Sequence, residues 1–331
     1  MRPFAYERAT DPDGARALLA AAGPGARYLG GGTNLVDLMK LGVEAPGALV
    51  DVAKLPLATI ELGADGALEA GAAVTNTALA NDPRVRAGWP VLSQALLAGA
   101  SGQLRNLATV GGNLLQRTRC AYFQDITKAC NKREGGRDRD GCPARDGDHR
   151  NLAILGHSEA CVATHPSDMA VALTALGATV RVRGDAGDRE IPMPGLHRLP
   201  GDDPTRDTVL EPGDLILGVS VPPLADGARS TYVKVRDRAS YAFAVVSIAA
   251  VLDRDDDGTV RDVRIALGGV AHAPWRAERA EAILRDGASP DDDLLARAAD
   301  AELSEARPLR DNAYKIPLAR HLIVDTIKEL M

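Results

Sequence analysis

ARYLGGGTNLVDLMKLG, residues 26–42, places three consecutive glycines between a short strand pattern and a helical pattern. Glycines let a backbone approach a ligand closely, and the helix that follows would offer free N–H groups and the positive end of its dipole. The spacing matches neither G-x-G-x-x-G nor G-x-x-x-x-G-K-S/T, which argues against a Rossmann fingerprint and a P-loop. A structural turn and a phosphate cradle both remain open for this segment.

A second glycine turn lies at Thr109-Val110-Gly111-Gly112-Asn113, after the polar run at 101–106. Two such turns in one domain would be able to hold an extended ligand, such as a dinucleotide, from two sides. Short strand patterns alternate with helical patterns around both turns, which indicates an α/β or α+β domain. Residues 160–184 are predicted to form a strand, a capped helix and another strand, and residues 276–331 to be mostly helical.

Composition excludes several classes of function. Aromatic residues make up only 3% of the chain, which argues against a stacking platform for single-stranded nucleic acid. The net charge of −6 argues against a general phosphate-backbone binder, so no nucleic-acid partner is expected. The first residues do not have the pattern of a signal peptide, and no apolar run is long enough to predict a membrane span. We expect a periplasmic location if a signal-bearing partner exports the chain, and a cytoplasmic one otherwise.

All four cysteines of the 331-residue chain lie between residues 120 and 161, spaced C-x9-C-x11-C-x18-C. Zinc sites usually contain closely spaced C-x2–4-C pairs, so this is a poor zinc pattern. Widely spaced thiolates can hold an iron–sulfur cluster if the loop folds around it. From the spacing alone a cluster, two disulfides, a zinc site and free thiols all remain open.

The cysteine-bearing segment is also basic. Residues 117–150 contain nine Lys and Arg against six Asp and Glu, a net charge of +3 in an acidic chain. A cluster with four thiolate ligands is anionic, and Arg119, Lys132 and Arg133 would stabilise it. A solvated basic loop, or a docking surface for another subunit, would have the same composition.

Four stretches together resemble the FAD-binding subunit of the molybdenum hydroxylases, the xanthine dehydrogenase family: LGGGTNLVDLMKLG, ASGQLRNLATVGGNLLQRTRC, ACVATHPSDMAVAL and YVKVRDRASYAFAVVSIAAVL. The resemblance covers nearly the whole chain. It is strongest to the FAD subunits of the bacterial periplasmic aldehyde oxidoreductase type, which carry a 4Fe–4S cluster in an inserted loop. Most of the family lacks this loop.

The resemblance implies a set of site residues. It places around the FAD pyrophosphate the first turn and its flanks, namely Arg27, Tyr28, Leu29, Gly30, Gly31, Gly32, Thr33, Asn34 and Leu35. It places Thr109, Gly112 and Asn113 in a second FAD loop, Asp168 near the ribityl chain or flavin, and Leu217 and Lys234 near the isoalloxazine. Ser167 and Asp168 also have a simpler interpretation as the cap of the following helix. The implied cluster ligands are Cys120, Cys130, Cys142 and Cys161.

The implied fold is α+β, a two-subdomain FAD-binding fold of the vanillyl-alcohol-oxidase type followed by a C-terminal sheet-and-helix domain. We predict a first FAD subdomain at 1–53, a second at 54–213 with the cluster loop at about 117–161, and a C-terminal domain of the CO-dehydrogenase flavoprotein type at 214–331. The Pro-, Gly- and Asp-rich residues 194–214 are predicted to link the last two.

The implied function is electron transfer in a molybdenum-containing aldehyde oxidoreductase, from the molybdenum site through iron–sulfur clusters to FAD and an external acceptor. The implied partners are a large subunit with the molybdenum cofactor and a small subunit with 2Fe–2S clusters, so no residue of this chain is expected to be catalytic. Two alternatives remain. One is the middle subunit of a hydroxybenzoyl-CoA-reductase-like enzyme, and the other is a non-catalytic module stabilised by zinc or disulfides.

Overall fold

The computed structural model describes residues 1–133, 141–285 and 289–331. Residues 134–140, part of the predicted cluster loop, lie outside this description. The described strands form sheets of three, five and four strands. They are β1 (Ala5–Arg8), β2 (Arg27–Leu29), β3 (Ala48–Asp51), β4 (Ile60–Leu62), β5 (Leu68–Gly71), β6 (Thr179–Gly184), β7 (Gly187–Pro192), β8 (Leu215–Val221), β9 (Arg229–Val235), β10 (Val246–Arg254), β11 (Val260–Gly268) and β12 (Trp275–Arg276).

Most helices are short, and the longest ones lie near the C-terminus. The helices are α1 (Pro12–Ala22), α2 (Leu35–Leu41), α3 (Asn76–Asn81), α4 (Pro83–Gly88), α5 (Pro90–Ala98), α6 (Gly102–Arg105), α7 (Val110–Leu114), α8 (Ala121–Gln124), α9 (Asp168–Leu176), α10 (Met193–Leu196), α11 (Glu278–Leu284), α12 (Asp292–Leu303) and α13 (Lys315–Leu330). Across the described ranges, no helix is long and apolar enough to cross a membrane.

The first sheet is parallel, with the strand order β1-β3-β2. Parallel neighbours need crossover connections, and α1 and α2 supply them. The carboxylate of Asp11 caps α1 by accepting a hydrogen bond from the Gly14 N–H at 2.7 Å. The chain leaves the carboxyl end of β2 directly into the first glycine turn, which is the end of a parallel strand where ligands usually bind.

The second sheet is antiparallel, with the order β4-β5-β8-β6-β7. Helix α9 is buried along its whole length in the core beside this sheet, as expected for a helix that is apolar on every side. Strand β8 follows the predicted domain boundary at 213 and yet pairs with β5 and β6. The predicted linker therefore returns the chain to the second sheet, and the three-part division of the chain stays a prediction.

The third sheet is antiparallel, with the order β12-β11-β10-β9. Alternate residues of β10 enter different cores: Ala249 and Val251 pack in the core that contains α9, whereas Ile248 and Ala250 pack in the core of α11 to α13. Side chains alternate between the two faces of a strand, so a strand covered on both faces needs a continuous apolar sequence. This explains the run AVVSIAAVL, and the expected α+β fold with a C-terminal sheet-and-helix domain is confirmed.

The cysteine-bearing segment has little regular structure where it is described. It contains α8 and a single 3-10 turn at Pro143–Arg145. The strand predicted within ACVATH is wrong, because residues 161–166 belong to no sheet. They are fixed by isolated backbone bonds instead, such as the Ala153 N–H to the Val162 oxygen at 2.9 Å and the His165 N–H to the Ala271 oxygen at 2.9 Å.

Candidate functional site

The first glycine turn is pressed against the backbone of the second. A methyl group at Gly31 would overlap the carbonyl oxygen of Leu107 and would lie 3.1 Å from the Ala108 Cα. One at Gly30 would lie 2.9 Å from the Thr109 hydroxyl. Gly31 is therefore required by a backbone-to-backbone approach between two segments that are distant in sequence, and Gly30 by the approach of the Thr109 side chain.

The second turn is held by its own cap. The Thr109 hydroxyl accepts a hydrogen bond from the Gly112 N–H at 3.2 Å and so begins α7. The side-chain oxygen of Asn113 accepts a hydrogen bond from the Ser167 hydroxyl at 2.5 Å, which ties this turn to the start of α9. The Asn34 side-chain oxygen accepts one from the Arg117 N–H at 2.9 Å, which ties the first turn to the segment after the second.

Two cavities share the turns as a common wall. The first, which we call the glycine cleft, has a volume of about 280 Å³ and is lined by residues of both turns and of β8. The second, which we call the Asp168 cleft, has a volume of about 430 Å³. Both are lined by Gly32, Thr33, Asn34 and Gly112, so the two cavities adjoin along these residues, and we call the pair the groove.

Asp168 anchors a buried network at the wall of the Asp168 cleft. Its carboxylate accepts hydrogen bonds from the Tyr232 hydroxyl at 2.5 Å and from the Lys234 ammonium at 2.8 Å. Burial, reinforced by the adjacent carboxylate, raises the pKa of Tyr232 well above its usual value. Ser167 is the residue that caps α9, because its hydroxyl accepts a hydrogen bond from the Ala170 N–H at 2.9 Å. The side chain of Asp168 is thus free of the capping role and joins α9 to β9.

The groove brings together most of the FAD residues that the resemblance implied. Arg27, Tyr28, Gly30 to Leu35, Thr109 and Gly112 line the glycine cleft, and Asn113, Asp168 and Lys234 line the Asp168 cleft. Leu29 and Leu217 are not among the described lining residues of either cleft; Leu217 packs against a small core beside the first sheet. Its neighbours Leu215 and Ile216 line the glycine cleft instead.

Sequence reasoning missed other residues of the groove. Ala72 and Leu57 line the glycine cleft, and Arg119, Tyr241 and Phe243 line the Asp168 cleft. The two aromatic residues had a signal, because they lie in the YAFAVV stretch that contributed to the resemblance. For Arg119 the sequence indicates only a role beside the cysteines, since this residue immediately precedes Cys120.

The four cysteines converge on one small pocket, which we call the thiol pocket. Cys120, Cys130, Cys142 and Cys161 all line it, and all four are free thiols, so no disulfide forms among them. Burial raises the pKa of Cys120 to about 11 and that of Cys161 to about 12, and it also raises the pKa of Cys142. Thiols in such a place are protonated at neutral pH unless a bound cation stabilises the thiolate form.

The pocket also has features that suit thiolates. The Ala163 N–H lies 3.5 Å from the Cys161 sulfur, in position to donate a hydrogen bond to it. The Lys132 charge acts against burial to favour the Cys161 thiolate. In the part of the chain that the structure describes, no three His, Cys, Asp or Glu side chains are arranged to hold a metal ion.

A buried ionic network holds the cysteine-bearing segment in place. Lys132 is 1% exposed, and its ammonium contacts the Asp207 carboxylate and donates to the His272 Nε2 at 2.5 Å. Burial alone would raise the pKa of the Asp207 carboxyl, but Lys132 and Arg117 hold it well below its usual range. Burial and Lys132 lower the pKa of His272 to about 4. The buried Lys132 therefore joins the cysteine-bearing segment to Asp207 of the linker and to His272, which follows β11.

The other two predicted basic residues have different roles. Arg133 donates hydrogen bonds to the backbone oxygens of Tyr122 and Asp125, at 2.6 and 3.0 Å, and so closes the turn that carries α8. Arg119 points into the Asp168 cleft and to a neighbouring cavity that Cys120 also lines. Only Lys132 has the expected electrostatic effect on a cysteine among these three.

Known proteins resemble this chain along its whole length. The family described as FAD binding domain in molybdopterin dehydrogenase matches residues 2–224, and the CO dehydrogenase flavoprotein C-terminal domain matches residues 231–330. The aldehyde oxidoreductase FAD-binding subunit PaoB of Escherichia coli (strain K12) is 49% identical over 330 residues, covering 99% of this chain and 98% of the relative. The glyceraldehyde dehydrogenase medium chain of Sulfolobus acidocaldarius is 27% identical over 310 residues, covering 92% and 90%.

Solved structures give the same picture. Carbon monoxide dehydrogenase from Hydrogenophaga pseudoflava matches with a TM-score of 0.77 and 26% identity, covering 100% of this chain and 98% of that one. Quinoline 2-oxidoreductase from Pseudomonas putida matches with a TM-score of 0.74 at 23% identity, which extends the likeness of fold.

Proposed function

Since the chain belongs to the FAD-binding subunits of the molybdenum hydroxylase family, we propose that it carries FAD and a 4Fe–4S cluster in a molybdenum-containing aldehyde oxidoreductase. The observation that carries the proposal is the arrangement of two sites in one chain. A groove between two glycine turns adjoins, through Arg119 and Cys120, a pocket on which four thiols converge. The aldehyde class rests on the 49% identical relative.

The groove fits an extended dinucleotide. Its length spans two cavities, and its shared wall is glycine backbone that a pyrophosphate can approach closely. In this proposal the residues from Arg27 to Leu35, with Thr109 and Gly112, hold the pyrophosphate. Asn113, Asp168 and Lys234 face the ribityl chain and ring, whereas Leu217 packs beside the first sheet and its β8 neighbours Leu215 and Ile216 line the glycine cleft. FAD supplies the ability to accept and release electrons singly or in pairs.

The thiol pocket fits a cluster better than the alternatives. The four thiols are free, which supports a cluster over two disulfides, and their spacing is a poor zinc pattern. A cluster spans a greater distance between its thiolates than one ion does, and hydrogen bonds to sulfur tune its potential. Cys120, Cys130, Cys142 and Cys161 are the proposed ligands, with Lys132 as the nearby cation.

The chain's role in the complex is to receive electrons from partner subunits and pass them to an external acceptor. The proposed partners are a large subunit with the molybdenum cofactor and a small subunit with 2Fe–2S clusters. We place the complex in the periplasm if one of these partners carries a signal peptide, and in the cytoplasm otherwise. We propose that the chain divides into three functional parts at residues 53 and 213. Strand β8 follows the second boundary but belongs to the sheet of the second part.

The test separates electron transfer from aldehyde chemistry. The isolated chain, purified with its flavin and iron, is expected to be reduced by dithionite and reoxidised by an artificial acceptor, and to oxidise no aldehyde. Adding the molybdenum and 2Fe–2S subunits should restore aldehyde-dependent bleaching of the flavin absorbance. Aldehyde oxidation by the chain alone, with molybdenum measured as absent, would overturn the assignment, and a colourless chain would favour a non-catalytic module.

A further inference from the structure

Arg119 occupies the boundary between two cavities. It lines the Asp168 cleft, and it also lines a neighbouring cavity of about 240 Å³ that Cys120 and Asp168 share. Its side chain is 22% exposed. A guanidinium in this position faces the groove that we assign to FAD, and the next residue in the chain faces the thiol pocket.

The guanidinium is poorly compensated for a charge that is mostly buried. Its ion pair with Asp37 is long, 3.5 Å, and the Asp37 side chain is itself 52% exposed. Its Nε is buried and has no hydrogen-bond partner within the described residues. A buried donor without a partner is costly, so such a group in a binding groove points to an acceptor that the ligand supplies.

Neighbouring cations of the same segment and cleft are satisfied by comparison. Arg117, two residues earlier, also has a buried Nε without a hydrogen bond, but its charge is paired with two carboxylates, Glu44 at 2.8 Å and Asp207. The Lys234 ammonium donates both to Asp168 at 2.8 Å and to the Ala98 oxygen at 3.2 Å. Of these three cations, Arg119 therefore has the weakest charge compensation.

An aromatic residue fixes the orientation of the guanidinium. The Arg119 Cζ lies 5.0 Å from the centre of the Phe243 ring, within the range of a cation–π contact. Phe243 lies on the segment between β9 and β10 and is 49% exposed at the rim of the Asp168 cleft. The contact holds the guanidinium plane at the cleft instead of letting it turn to solvent.

We propose that Arg119 binds the polar edge of the isoalloxazine ring and stabilises the negative charge that reduction adds there. This inference rests on the proposed function. Two electrons and one proton added to FAD leave one net negative charge on the ring system; the electrons come from the partner subunits in the complex and from dithionite in the test. A fixed cation in a partly dry groove favours the charged, reduced form and therefore raises the flavin potential.

The experiment measures the flavin directly. The full chain loaded with FAD and iron is compared with Arg119→Gln, Arg119→Lys and, as a control that removes one arginine from α13, Arg320→Gln. Two readouts are taken: the flavin midpoint potential by dithionite titration with reference dyes, and the affinity for sulfite. Sulfite adds reversibly to the oxidised ring and leaves a negative charge on it, so it reports the same stabilisation without electron transfer.

Arg119→Gln is expected to lower the preference for reduced over oxidised FAD at least tenfold, which is about 30 mV for a two-electron couple. Sulfite binding should weaken by a similar factor. Arg119→Lys should recover most of both effects, because the charge remains. Arg320→Gln should change neither readout. Asp37→Asn, which removes the opposing carboxylate from the exposed face of α2, should shift both readouts in the opposite direction.

Several outcomes would overturn the inference. One is unchanged flavin potential and sulfite affinity in Arg119→Gln with FAD bound. Another is a shift confined to the cluster potential, which would assign Arg119 to Cys120 alone. If Arg119→Gln does not fold, Arg119→Lys and Asp37→Asn still decide, since equal readouts in Asp37→Asn and the parent contradict the charge effect. A parent chain that binds no FAD would instead contradict the proposed function.

Discussion

The glycine cleft and the thiol pocket are built in opposite ways. One wall of the cleft is the glycine backbone of the first turn, and the shape depends on the missing side chains at Gly30 and Gly31. The pocket is made of four side chains on a segment with little regular structure, held by contacts to distant parts of the chain. The cleft is thus formed by the fold itself, whereas in our proposal the pocket is completed by a cluster bound to the sulfurs.

The two sites depend on their ligands in different ways. The cleft can accept a ligand without the ionisation of any side chain, because the close approach of the two backbone segments fixes its shape. In the thiol pocket, burial raises the pKa values of Cys120 and Cys161 and so disfavours their thiolate forms. Metal binding would reverse this, since the ligands must lose their protons as the site fills. The cleft should therefore be sensitive to added atoms, and the pocket to removed ones.

The largest effect is expected from Gly31→Ala. The added methyl group would overlap the Leu107 carbonyl, so the two turns must separate, at a cost of about 3 kcal/mol by analogy with overpacked cores. The variant should purify with little FAD, measured as flavin absorbance per chain. Gly31→Asp should lose at least as much FAD, because its side chain causes the same overlap whether or not its charge also matters.

Gly102→Ala is the matched control for this substitution. It adds the same methyl group to the segment that leads into the second turn, where no atom lies within 4 Å. Flavin content should match that of the parent chain. If Gly31→Ala also retained full FAD, the close approach of the two turns would not be what shapes the site.

Cys142→Ser should affect the molecule as a whole less than Gly31→Ala does, but it should abolish cluster binding in the thiol pocket. Loss of one thiolate is expected to remove the cluster, about four iron atoms per chain, while FAD is retained at least in part. Iron analysis and the flavin spectrum of the same sample measure the two sites independently. Unchanged iron content would exclude Cys142 as a ligand, and equal loss of FAD and iron would remove the contrast between the sites.

The smallest effect concerns the docking of the cysteine-bearing segment to α13. The Lys315 ammonium is fully buried and donates to the backbone oxygens of Leu152 and Gly269 at 3.0 and 2.7 Å. Burial lowers its pKa to about 7, below an unfolded value of about 10.4. Between these pH values the unfolded chain binds the extra proton, so stability rises with pH, by up to about 1.4 kcal/mol per unit.

Lys315→Met should remove this rise. Urea unfolding at pH 7.5 and 9.5 is expected to differ between parent and variant by about 2 kcal/mol in its pH dependence. Lys328→Met, an exposed position on the same helix that pairs with Asp292, serves as the control and should keep the slope of the parent. Equal slopes in all three chains would mean that the amine at 315 is charged in the folded state.

Local sequence determined the presence of both sites. The turn at Gly30 to Gly32, the capped turn at Thr109 and the grouping of the cysteines were all visible, because these features depend on residues close together in the chain. The alternation of strands and helices indicated an α/β or α+β domain, and the family resemblance implied α+β. The strand predicted within residues 160–165 was wrong because a strand requires a neighbour, and local sequence does not supply one.

Only the tertiary structure decided what each site touches. Gly31 meets Leu107, Lys132 meets Asp207 and His272, and β8 returns to the second sheet across the predicted boundary. Arg119, adjacent to a cysteine in sequence, turns toward the other site in space. The physical reason is that backbone packing and buried ion pairs join residues far apart in sequence. Their partners are chosen by burial and charge in the folded chain, which no local spacing records.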